Sequence, residues 1–74
     1  MPGKVSVIIE EDEHGFYAYC PQLPGCQTQG DTMDEVIANI RDAIDLYLET
    51  MTEDEKKEAL SKDIFTATLD VKVA

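Results

Sequence analysis

The sequence predicts an α+β domain: a small antiparallel-type sheet with one main helix on one face, in the order β-β-β-α-β. Three observations predict it. Segments near both ends of the chain alternate apolar with polar residues, the period of a half-buried strand. One central stretch repeats its apolar residues every three to four positions, the period of an amphipathic helix. Two prolines and a glycine within residues 21–25 break the chain between the early strands and that helix.

The elements follow in order. Lys4 to Glu10 reads as a strand, with Val5, Val7 and Ile9 on one face and Ser6, Ile8 and Glu10 on the other. Glu11-Asp12-Glu13-His14-Gly15 is a charged turn whose glycine accepts a positive φ. Phe16 to Cys20 is a second strand, with Phe16, Ala18 and Cys20 opposite Tyr17 and Tyr19. The short connection predicts an antiparallel hairpin. Pro21-Gln22-Leu23-Pro24-Gly25 cannot continue a central strand, because proline has no N–H to donate. A short third strand follows, Cys26 to Gln29, ended by Gly30 and Asp31.

Thr32-Met33-Asp34-Glu35 is a capping box that starts the main helix. Met33, Val36, Ile37, Ile40, Ala43, Ile44, Tyr47, Leu48 and Met51 form one apolar stripe on it, while Asn39, Arg41, Asp42, Asp45 and Glu49 fall on the wet side. Thr52-Glu53-Asp54-Glu55 is a second box, restarting a short helix to about Leu60. Glu53 with Lys57, and Glu58 with Lys62, are spaced to pair on it. Finally Phe65, Ala67, Leu69, Val71 and Val73 alternate with Thr66, Thr68, Asp70 and Lys72, a last half-buried strand.

At 74 residues the chain reads as one domain, 1–74, with a thin core. A hydrophobic fraction of 43% sets it apart from disordered chains. Sixteen acidic residues against six basic ones give a net charge of -10. Nucleic-acid binding needs clustered Lys and Arg that displace counterions from phosphates, so this balance argues against direct contact with DNA or RNA and fits a basic protein partner. The N-terminal Met-Pro-Gly-Lys has no apolar signal core, and no apolar run approaches the roughly 20 residues of a membrane helix. A cytoplasmic protein without membrane contact is the expectation.

Candidate chemistry is sparse. Cys20 and Cys26 are not a CxxC pair and lack the partners of a zinc site; they read as small buried hydrophobes. His14, the single histidine, sits in an acidic turn without a nucleophile at recognisable spacing. The acids at 10–13 are too short a run for a calcium loop and read as a solvated turn. No phosphate-binding glycine loop occurs. Tyr17, Tyr19 and Tyr47 are not interleaved with Lys or Arg, so they read as sheet-face and core aromatics rather than base-stacking platforms. No catalytic residue, metal or cofactor is expected.

Gly15, Ala18, Pro21, the run Leu23-Pro24-Gly25-Cys26, Thr28, Gly30-Asp31-Thr32, Glu35, Asn39, Ala43, Ile44, Tyr47 and Leu48 together resemble the pattern of the HicB-like antitoxin family, over about residues 5 to 49. The resemblance implies a degraded RNase H fold and a role in neutralising a small basic HicA-type ribonuclease that cleaves messenger RNA. Gln22 stands where the family often has an acid, and Val36 where it often has alanine. Many members continue into a C-terminal DNA-binding domain; none is expected here. Nuclease activity is not expected either, because an RNase H site places a carboxylate in the middle of its first strand, where this chain has Val7-Ile8.

The resulting expectation is a binding protein. Its candidate partner contacts are Asp42, Asp45 and Glu49 on the helix, with Gln22 and Leu23 of the elbow as uncharged anchors. Phe65, Leu69 and Val71 are candidates for self-association into a homodimer or higher even oligomer, since a long last strand leaves an edge to cover. The alternative is an orphan homo-oligomeric α+β scaffold or regulatory domain without a toxin.

Overall fold

In the computed structural model, which describes residues 3–73, strands β1 (Ile8–Asp12), β2 (Gly15–Tyr19) and β3 (Gln27–Gly30) precede helices α1 (Met33–Glu49) and α2 (Glu53–Leu60). Met1, Pro2 and Ala74 lie outside the described residues. The sheet is an antiparallel meander of order β1-β2-β3. This is the α+β arrangement read from the sequence. The further likeness to RNase H rests on the family resemblance alone.

The β1-β2 turn sets the register. Asp12 pairs with Gly15 across a two-residue turn of Glu13 and His14, and Gly15 adopts φ 130. The Asp12 carboxylate accepts from the His14 N–H at 2.8 Å and fixes the reversal. Counting back from that turn, Ile8 is the last residue of β1 to find a partner, Tyr19. Pro21 ends β2 soon after, so Lys4 to Val7, expected as strand, has no neighbouring strand to pair with. Val5 and Val7 still pack against the core from this segment, as Ile9 does from β1.

The core is Ala18, Cys20, Leu23, Cys26, Val36, Ile40 and Ile44. Alternation along the strands puts Ala18 and Cys20 on the helix side of the sheet, while Val36, Ile40 and Ile44 recur every four residues along α1. The helix lies mainly over β3 and β2. The approach is close: a Cβ on Gly30 would sit 2.7 Å from the Val36 backbone nitrogen, so only glycine fits where β3 hands over to α1. Asn39 donates to the Gln29 carbonyl at 2.8 Å and ties the helix to β3.

Both helix starts are as the sequence predicts, with one difference. Thr32 Oγ1 accepts from the Glu35 N–H at 3.1 Å, but the reciprocal bond is made only at the second box, where Thr52 N–H donates to Glu55 Oε1 at 2.8 Å. The Glu35 side chain instead lines a surface hollow. On α2 the ion pair formed is Glu53 with Lys56, at 3.3 Å and three residues apart. Lys62 falls beyond the helix end, so it does not serve Glu58 as the spacing predicted.

The largest departure is the C-terminal segment. Residues 65–73 form no strand within the chain, and Phe65, Leu69, Val71 and Val73 are 89%, 78%, 74% and 85% exposed rather than half-buried. Alternation predicts a strand, but a strand needs a neighbour to bond to, and none of the described residues pairs with this segment.

Candidate functional site

The Pro/Gly elbow is a structural hub. The Leu23 N–H donates to the Cys20 carbonyl at 3.1 Å, the Cys26 N–H to the Leu23 carbonyl at 3.0 Å and the Cys20 N–H to the Cys26 carbonyl at 3.0 Å. Gly25, at φ 84, allows the reversal. This folds Leu23 inward, fully buried. The Tyr47 hydroxyl donates to the Pro24 carbonyl at 2.8 Å and holds the elbow against α1.

Gln22 is turned inward as well, at 4% exposure. Its Oε1 accepts from the Ser6 N–H at 2.7 Å and its Nε2 donates to the Lys62 carbonyl at 3.2 Å. One amide thus joins the N-terminal segment, the elbow and the chain beyond α2. Gln22 and Leu23 were expected as anchors on a partner. Both side chains are spent inside the fold, and the elbow's outer surface is Pro24 and Gly25.

The acids of α1 are placed differently. Asp42, Asp45 and Glu49 are all exposed. Glu35, Asp42 and Glu49 follow at intervals of seven, almost two helical turns, so they form one row along the outer face with Asp45 beside it. Five acids stand on α1 against a single cation, Arg41.

That row leads into a second acidic surface. At the hairpin end of the sheet an open hollow of ≈ 820 Å³ is bordered by Glu10, Glu11, Asp12, Asp31 and Glu35, with His14 at its rim. The sequence separates Glu10–Asp12 from Asp31 and Glu35 by some twenty residues, which is why the run at 10–13 reads as a solvated turn. The signal that joins them is the meander itself: two successive reversals bring the β1-β2 turn and the β3-α1 junction to the same end. The carboxylates are spread around an open rim, and among the described residues no three His, Cys, Asp or Glu side chains converge as metal ligands.

The opposite sheet face carries Tyr17 and Tyr19, with ring centroids 5.7 Å apart and the Tyr17 hydroxyl donating to Gln27 Oε1 at 2.9 Å. Cys20 and Cys26 are free thiols in the core. Burial, and secondarily the neighbouring Cys20, pushes the Cys26 thiol above its ordinary pKa, away from the thiolate a nucleophile needs. Among the described residues no helix is long and apolar enough to cross a membrane.

The fold and surface thus define a small acidic α+β domain whose polar side chains form surfaces rather than a closed reaction site. The chain belongs to the HicB-like antitoxin family of bacterial toxin-antitoxin systems, whose model matches residues 5–71. It is similar to a UPF0150 protein of Helicobacter pylori, 36% identical over 70 residues that cover 95% of this chain and 97% of that one. It is also similar to UPF0150 proteins of Thermoplasma acidophilum, 46% identical over 55 residues (73% and 80% of the two chains), and of Archaeoglobus fulgidus, 47% identical over 47 residues (62% and 68%). No solved structure matches the chain.

Proposed function

We propose that this protein neutralises a small basic HicA-type ribonuclease toxin by direct protein-protein contact, and that it performs no catalysis of its own. Family membership supports an antitoxin role. The observation that carries the choice of partner is the set of exposed acids that runs from the hairpin-end hollow, which Glu35 lines, along α1 to Asp42, Asp45 and Glu49. An RNA-cleaving enzyme must hold a polyanion, so its working face is basic. A row of carboxylates along α1, which is about 26 Å long at 1.5 Å per residue, presents that face with charge of the same sign as RNA. Attraction between the two faces speeds encounter and occupies the surface that RNA would otherwise use. In this reading the protein binds no nucleic acid itself and acts in the cytoplasm, where messenger RNA is the toxin's target.

The test is genetic and biochemical. A reading frame next to this gene that encodes a short basic protein, where there is one, is expressed alone and together with this chain. Growth arrest that this chain relieves, with a complex that co-purifies, is the expected outcome. A neighbour that is harmless and never co-purifies refutes the proposal.

A further inference from the structure

The core holds the chain's two thiols, and the surface proposed for a basic partner uses neither of them. Their placement follows from the strand register. β2 and β3 pair antiparallel, with Tyr19 opposite Gln27 as the last pair before the elbow. One step further along both strands, Cys20 comes opposite Cys26. The Cys20 N–H donates to the Cys26 carbonyl at 3.0 Å, so the ladder reaches this pair before the chain turns. Directly opposed residues project their side chains to the same face of a sheet. Here that face is the core, where Cys20 is 2% and Cys26 4% exposed.

The pair is of the hydrogen-bonded kind, whose Cα atoms stand about 5.5 Å apart. A disulfide spans Cα separations of roughly 4.4–6.8 Å, most often about 5.5–6 Å. The backbone therefore holds the two cysteines at bonding separation, and no strand has to slide. The buried residues clustered with them, Ala18, Leu23, Val36, Ile40 and Ile44, have aliphatic side chains that give neither sulfur a polar partner. Burial first, and then the neighbouring Cys20, raises the Cys26 thiol, as two close sulfurs in an apolar place require.

We infer that Cys20 and Cys26 are a modification site, a cross-strand dithiol that a small peroxide converts to an intrachain disulfide, and that this bond locks the elbow. The inference stands independently of the antitoxin reading. One thiolate attacks a peroxide oxygen, gives up two electrons and becomes a sulfenic acid, while the O–O bond breaks and water leaves. The second sulfur attacks the sulfenic sulfur, the S–O bond breaks, and a second water leaves. Both thiol protons end in those waters. Before oxidation the elbow is held by its backbone hydrogen bonds and by Tyr47 on the Pro24 carbonyl. After it, the chain from Cys20 to Cys26 is a closed ring, and Gln22, which ties Ser6 to Lys62, lies on that ring. Because both sulfurs are buried, the oxidant reaches them when the elbow opens, and the bond forms slowly. A reducing compartment returns the pair to thiols, so the disulfide is a transient mark of oxidant exposure.

The experiment takes the full chain, purified reduced, and holds it in native buffer with an equimolar amount of hydrogen peroxide. Samples are unfolded in excess iodoacetamide and weighed intact. The expected product keeps the mass of one chain, 8.3 kDa, less two hydrogens. It takes no alkyl group, and dithiothreitol returns two alkylatable thiols. Its thermal midpoint should stand roughly 5–15 °C above that of the reduced protein. Cys20→Ala and Cys26→Ala should each abolish that peroxide-dependent rise, and the comparison of oxidised with reduced wild type does not depend on either variant folding. Peroxide-treated protein that still takes two alkyl groups, that carries added oxygen on its cysteines, or that links only between chains overturns the inference. An oxidised protein whose midpoint is no higher than the reduced one overturns it as well.

Discussion

Gln22 donates and accepts at once, and the fold uses both capacities. The Ser6 N–H needs an acceptor and the Lys62 carbonyl needs a donor, and one buried primary amide supplies the pair. A carboxylate, the residue type that the family resemblance associates with this position, has no proton to give Lys62. Gln22→Glu should therefore cost about 1–3 kcal/mol, by setting two acceptors against each other in a buried place. The urea-denaturation midpoint measures it, and an unchanged midpoint shows that the amide is not needed. This residue also marks a limit of sequence reading. Gln22 lies in a Pro/Gly loop, where polar residues are ordinarily solvated, and its burial depends on residues 6 and 62, which meet it only in three dimensions. Leu23 was misplaced for the same reason: nothing in Leu-Pro-Gly says whether the turn points its leucine in or out.

The helices were the most legible elements, because both their faces and their ends are written locally. The stripe through Val36, Ile40 and Ile44 names the buried side, and Thr32 and Thr52 name the starts. Thr32→Ala should lower stability by about 1 kcal/mol through loss of the bond from the Glu35 N–H. A shift in thermal midpoint checks this, and no shift shows that the helix does not depend on that cap. The α2 cap adds a pH dependence. A hydrogen bond from the Thr52 backbone N–H, then one involving its hydroxyl, holds the Glu55 carboxyl below its ordinary pKa. A lowered pKa in the folded state contributes stability that is present above the ordinary glutamate range and lost as pH falls through the lowered value. Helical circular dichroism should therefore fall on acidification through that window, and less so in Glu55→Gln, which keeps an acceptor but does not titrate. The strands were less legible than the helices. Alternation identified all three segments of the sheet, but the limits of β1 are set by the Asp12–Gly15 turn and by where β2 ends, which are properties of the pair rather than of either strand.

At the scale of the whole molecule, two surfaces stand apart in charge. One is the row of acids along α1 with the hairpin-end hollow, the surface we propose for a basic partner, and the other is the neutral, exposed C-terminal segment. The net charge was plain in the sequence, but its gathering into a track was not, because the meander is what brings Asp31 and Glu35 beside Glu10–Asp12. The C-terminal alternation was equally plain, but among the described residues no strand pairs with residues 65–73. On our proposal the acids along α1 capture a basic partner. The most direct measurement is the association rate between this chain and the toxin it co-purifies with, followed against salt, for wild type and for the double reversal Asp42→Lys/Glu49→Lys. Both positions are exposed, so the variant should fold. Association is expected to slow as salt rises, and to slow by about 10-fold or more on charge reversal at low salt. A complex that forms at the same rate in both proteins and at all salt concentrations would contradict it.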